Sequence, residues 1–188
     1  MTNPALARAL TESSLRPLPA AASELLVLLD SPPRLGAHLR AVHDVAWSLT
    51  DRLGRRRPDL DFDTTAVLFG AATHDIGKVI HREELSHPGH RHEAAGRDLL
   101  LSYGVPWHLA RFAGTHGDWE SPDAGLEDLL VSLADKVWKG ARVRSLEDRV
   151  AAHLGGLPWE AFLILDEVVQ EVAADADARL AFQGSFSV

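Results

Sequence analysis

Between Pro32-Pro33 and the triplet Arg55-Arg56-Arg57, the chain places Leu35, Leu39, Val42, Ala46, Leu49 and Leu53 three or four residues apart. That spacing lines one face of an α-helix. Proline suits a first helical turn and cations suit the last. The pattern predicts one long helix from Pro33 to near Arg57, and it sets the class for the rest of the chain. Asn3-Pro4 reads as a cap followed by a first-turn proline, and a helix is expected from about Ser23 to Asp30. Asp63 or Thr64 caps a further helix that runs to Asp75 and stops at Gly77. Helices are also expected at His92–Tyr103, Pro106–His116, Leu126–Trp138, Leu146–Leu154 and from Pro158 to about Phe182. No segment alternates as a strand does. The expected fold is all-α, a helical bundle, with one domain over residues 1–188.

Composition narrows the function. The formal net charge is −8, which argues against a nucleic-acid backbone as partner. The basic triplet is read as a solvated helix end. There is no cysteine, so disulfides, thiolate nucleophiles and zinc–thiolate sites are excluded. No apolar run reaches spanning length, and the opening residues lack the pattern of a secretory leader. A cytoplasmic location without membrane attachment is expected.

Of ten histidines, His74, His81, His87, His90 and His92 fall between Ala72 and Gly96. On the predicted helices, His43 leans toward the long apolar stripe. His74 and Asp75 share a helix end beside the small run Gly70-Ala71-Ala72. His92, His116 and Asp135 also lie beside apolar faces. Any one of these is readily a satisfied core group. Six together are not, because burying imidazoles and carboxylates without partners costs a few kcal/mol, of order 2–7, per group. A metal centre satisfies the whole set, since neutral imidazole and carboxylate are ligand types of first-row divalent metals.

The ordered segments carry a resemblance. His43, then "THDIGK" (73–78), "HEAAG" (92–96), "GTH" (114–116) and "LADKVW" (133–138) resemble the motifs of the HD-domain superfamily of metal-dependent phosphohydrolases. The motif-bearing core covers about residues 35–140, with flanking helices on either side. The resemblance implies that His43, His74, Asp75 and Asp135 hold one metal. His92 and His116 would hold a second, with Asp75 as the bridge and a catalytic group. Two divalent transition metals (Mn, Fe, Ni, Co or Zn) are implied. A carboxylate can bridge because it has two oxygens, whereas a neutral imidazole offers one lone pair. Lys78, at the motif's lysine position, is expected to meet a substrate phosphate and to act in catalysis. His87, His90, Arg91 and Arg97 are further substrate-binding candidates, while His38, His108 and His153 are read as structural.

The implied activity is hydrolysis of a nucleotide or another phosphate mono- or diester by a metal-activated water. The partner is then a small phosphate ester, and the chain a monomer or homodimer. Gly117 stands where many relatives carry a second histidine. The Gly-Tyr-Pro segment of the cyclic-di-GMP-degrading branch and the Glu-Asp pair of the alarmone hydrolases are both missing. Two alternatives share the ligand set: a di-iron oxygenase of the same fold, and a non-catalytic, metal-stabilised sensing module.

Overall fold

A computed structural model describes residues 3–187. Among them there is no strand, and no helix is long and apolar enough to cross a membrane. The chain order is α1 (Pro4–Thr11), α2 (Ala20–Leu28), α3 (Pro33–Arg56), α4 (Thr64–Thr73), α5 (Arg91–Ser102), α6 (Trp107–Ala110), α7 (Phe112–Thr115), α8 (Leu126–Val137), α9 (Arg144–His153), α10 (Pro158–Ala173) and α11 (Ala176–Gly184). Short 3₁₀ turns at Ile76–Val79 and Arg82–Leu85 connect α4 to α5. The caps follow the sequence: Asn3 Oδ1 accepts from the Ala5 N–H at 2.9 Å, and Asp63 Oδ1 accepts from the Ala66 N–H at 2.9 Å.

The long helix α3 is the axis of the fold. From Pro33 to Ala46 only Arg34 is more than marginally exposed, so this half is enclosed on all sides. It packs against α1, α4, α8, α10 and α11. Its polar residues are therefore buried and need partners. Arg40 is 1% exposed. Its guanidinium donates to the carbonyls of Ala9 (2.8 Å), Glu12 (2.7 Å), Arg16 (3.2 Å) and Leu15. These include carbonyls that the end of α1 leaves unpaired. Asp44 is held by Arg16 at 2.6 Å and faces Arg179 at 3.6 Å.

Four local expectations change. Helix α4 ends at Thr73, so His74 and Asp75 stand just past it. Gly77 is not in the left-handed conformation; it is needed because a Cβ there would overlap the His92 carbonyl. The last helical stretch is not continuous to Phe182. It turns at Asp175, and Arg179 Nη1 donates to the Val172 carbonyl at 2.8 Å, taking up an acceptor freed at the end of α10. The turn folds α11 back against α3. The single helix expected over Pro106–His116 is present as two short segments, α6 and α7, with the helical backbone of Arg111 between them and Pro106 outside as the N-cap.

Candidate metal centre

Four imidazoles and two carboxylates converge where α3, the end of α4, α5, the end of α7 and α8 meet. His74 is fully buried, Asp75 is 3% exposed, and His38, His92 and His116 are each below 9%. The two oxygens of Asp75 face different neighbours. Oδ1 lies 3.0 Å from His92 Nε2 and 3.5 Å from His116 Nε2. Oδ2 lies 3.1 Å from His38 Nε2 and 3.7 Å from His74 Nε2. Asp135 Oδ1 adds a second carboxylate on the latter side, 3.5 Å from His74 and 3.8 Å from His38. Two triads, His38–His74–Asp75 and Asp75–His92–His116, each have ligand atoms close enough to hold a metal ion, and they share Asp75.

The histidines are oriented for this. His74 Nδ1 sits 3.0 Å from the Ala71 carbonyl, and His116 Nδ1 sits 3.2 Å from the Ala113 carbonyl. His92 Nδ1 sits 2.5 Å from Glu84 Oε2. An acceptor beside Nδ1 requires the proton there, which leaves the Nε2 lone pair directed at the centre. His38 also presents Nε2, 3.4 Å from His74 Nε2. His92 Nε2 is buried and, although near Asp75, is out of line for a hydrogen bond. A buried lone pair with no donor beside a carboxylate fits a cation. The donor set, imidazole Nε2 with carboxylate oxygen, fits a divalent transition metal.

The electrostatics agree. Burial pushes Asp75 up, but His74, His116, His38 and His92 together hold its carboxyl well below the usual range. Burial is likewise overcome at Asp135 by His74 and Lys136, which keep it low against the repulsion of Asp75. Both carboxylates are thus ionised at neutral pH and available as ligands. Burial draws His92 down, yet Asp75 and Glu84 prevail and raise it in the metal-free site, so a metal would have to displace a proton from Nε2 there.

Several predicted residues lie elsewhere. His43 makes no hydrogen bond or ion pair with the cluster; His38 occupies the expected place. Five residues along a helix turn the side chain by about 140°, so both cannot face one centre. His43 is buried with Nδ1 unpartnered, and burial pushes it down to about 4. Because α3 is enclosed all round, an inward lean did not discriminate between the two histidines. Glu84 was not anticipated either. It lies in what reads as a Pro/His-rich connection, but it accepts the backbone N–H groups of Arg91 and His92, each at 3.1 Å, where α5 begins. A carboxylate eight residues before a helix-starting histidine, with Pro88-Gly89 between, was the available signal.

A cavity of ≈ 370 Å³ opens onto the centre, and its wall includes Lys78, His90, Glu93, Gly117, Lys136 and Trp138. Lys78 Nζ lies 2.6 Å from Asp75 Oδ2, and Lys136 Nζ lies 2.7 Å from Asp135 Oδ2. His90 pairs with Glu93 at 2.9 Å. A Cβ at Gly117 would come within 2.6 Å of Glu93 Oε1, so Glu93 fills the space beside the glycine. His87, Arg91 and Arg97 are not on this wall. His87 Nδ1 faces the Glu83 carbonyl, Arg91 pairs with Glu83, and Arg97 pairs with Asp98.

The family model of the HD domain matches residues 35–138, more than half of the chain. No curated protein and no solved structure matches. The matched span contains His38, the His74-Asp75 pair, His92, His116 and Asp135. On that match, and with an all-helical fold converging on the His-Asp pair, the chain belongs to the HD-domain family.

Proposed function

We propose that the cavity is the active site of a metal-dependent phosphohydrolase acting on a nucleotide or another phosphate mono- or diester. The observation that carries this reading is the division of Asp75. One oxygen faces His92 and His116, and the other faces His38 and His74. Membership of a metal-dependent hydrolase superfamily supports it.

On this reading His38, His74, Asp75 and Asp135 would hold one ion, and His92, His116 and Asp75 would hold a second. Bound divalent metals supply Lewis acidity, which makes water nucleophilic near neutral pH and offsets charge on a phosphate. The residues of the chain do the rest. The backbone carbonyls of Ala71 and Ala113 and the Glu84 carboxylate fix three imidazoles with Nε2 inward. Full burial of His74 closes the floor to bulk water. Lys78 and Lys136 hold ammonium groups at the cavity wall beside the two carboxylates. From there they can donate to phosphate oxygens and stabilise developing negative charge.

The test is a screen of metal-loaded protein against phosphate mono- and diesters, with and without O₂, scored by metal-dependent product release. Hydrolysis that stops on chelation and returns with metal supports the proposal. Protein with confirmed metal that hydrolyses none of them, but consumes O₂ with an organic substrate, overturns it in favour of an oxygenase.

A further inference from the structure

Seven charged side chains line the cavity besides the histidines: Arg34, Lys78, Lys136 and Lys139 against Asp75, Glu93 and Asp135. On a chain with net charge −8, a cationic excess at one opening is a local feature. The charges are not equivalent. Lys78 and Lys136 are each paired with a carboxylate of the metal centre, and Glu93 is bonded to His90. Among the described residues, Arg34 and Lys139 have no carboxylate within ion-pair distance and make no side-chain hydrogen bond.

Their positions are related to the centre by helix geometry. Arg34 precedes His38 by four residues on α3, and Lys139 follows Asp135 by four across the end of α8. Each therefore stands about one turn, roughly 6 Å along the axis, beyond a candidate ligand. Gln183, which the fold-back of α11 brings to the same wall, adds an amide. Arg34 is half-buried and Lys139 exposed on one cavity wall, and neither charge is met by an anion of the protein, so both are open to an anionic ligand.

We infer that Arg34 and Lys139 form a second anion subsite, which takes an additional phosphate of a substrate that carries at least two. The inference rests on the phosphohydrolase reading for the reacting phosphate and adds the class of compound. Guanidinium matches phosphate oxygens in a bidentate fork, and the ammonium adds a point charge. Leu85 and Trp138 are the large apolar groups of the whole cavity wall. Selection there depends on charge more than on a hydrophobic leaving group.

The experiment is calorimetric binding of orthophosphate, pyrophosphate and phosphoglycolate to metal-loaded protein, alongside turnover of nucleoside mono- and diphosphates. We expect pyrophosphate to bind at least about tenfold tighter than orthophosphate. The preference should fall at least about fivefold in the double variant Arg34→Ala/Lys139→Ala. It should persist in Arg55→Ala, which removes one exposed cation paired with Asp51. Arg34→Gln and Lys139→Gln, made singly and checked for metal content and helicity, serve if the double variant does not fold. A preference unchanged in these variants overturns the inference, and phosphoglycolate binding as tightly as pyrophosphate overturns the second phosphate in favour of a carboxylate. Hydrolysis without the Arg34- and Lys139-dependent preference leaves the phosphohydrolase and removes the subsite. The preference without hydrolysis keeps the subsite and removes the reaction.

Discussion

His92 Nδ1 and Glu84 Oε2 lie 2.5 Å apart, and this contact decides which nitrogen of His92 faces the metal centre. The same carboxylate accepts two backbone N–H groups at the start of α5. Burial raises it, but these bonds and His92 outweigh burial and hold it down to about 2. Glu84 is thus an ionised acceptor that pins both the ring and the helix end carrying it. Gly89 makes the packing possible, since a Cβ there would overlap the Glu84 carboxylate. Glu84→Gln keeps the shape and removes the charge. We predict about 10–100-fold weaker metal binding on the His92 side, read by metal titration with the stoichiometry resolved. Unchanged affinity at both sites rules out the positioning role.

Asp75 presents one oxygen to each pair of histidines. Asparagine has the same outline but only one oxygen, its other terminal group being a donor. Asp75→Asn is therefore expected to lose metal from both sides of the centre, whereas His92→Ala should keep close to one ion per chain. Elemental analysis of the purified variants decides this. Equal metal content in Asp75→Asn and wild type would refute the bridge.

Gly77 tests the link between backbone packing and ligand placement. A Cβ at this position overlaps the carbonyl of His92 and approaches the Gly96 nitrogen at 2.6 Å. Both neighbours are backbone, so neither can rotate away. Gly77→Ala must push α5 from the 3₁₀ turn, and with it His92 from Asp75. The expected cost is about 1–3 kcal/mol in unfolding free energy, together with metal loss confined to the His92–His116 side. A variant as stable as wild type with full metal content contradicts this coupling.

The fold was legible where periodicity and punctuation agree. Leu35 through Leu53, flanked by prolines and arginines, gave α3 nearly to its ends, and Asp63 gave the start of α4. Of the centre, the His74-Asp75 pair, His92, His116 and Asp135 were visible from spacing and converge in space. His38 was not, because a helix enclosed on every side carries no polar face to contrast with an inward one. The turn at Asp175 was also hidden. The Pro158–Phe182 pattern is helical throughout, and the break is accompanied by the bond from Arg179 to Val172 and by the packing of α11 on α3, which the pattern does not carry. Arg34, Lys139 and Gln183 read as surface residues because their common feature, a shared cavity wall, comes from three distant parts of the chain.

His43 supplies the last prediction, on pH. Burial disfavours its charged form and lowers it from an ordinary value near 6.5 to about 4, against an opposing pull from Asp44. Between those values the unfolded chain binds a proton that the folded chain does not, so stability rises with pH across this window. The contribution is fully present above about pH 6.5 and is lost as pH falls toward 4. At pH 4.5 the loss amounts to about 2–3 kcal/mol. Urea unfolding of metal-free wild type and His43→Gln at pH 7 and 4.5 measures it. Glutamine does not titrate, so the other groups cancel in the comparison, and wild type should lose about 2–3 kcal/mol more than the variant. The same pair of proteins separates His43 from the metal site. His43→Gln should retain wild-type metal content, while His38→Ala should lose the ion on the His74–Asp135 side. Matching pH slopes would mean that His43 takes up its proton in the fold as it does in the unfolded chain. Metal loss in His43→Gln with retention in His38→Ala would return His43 to the centre.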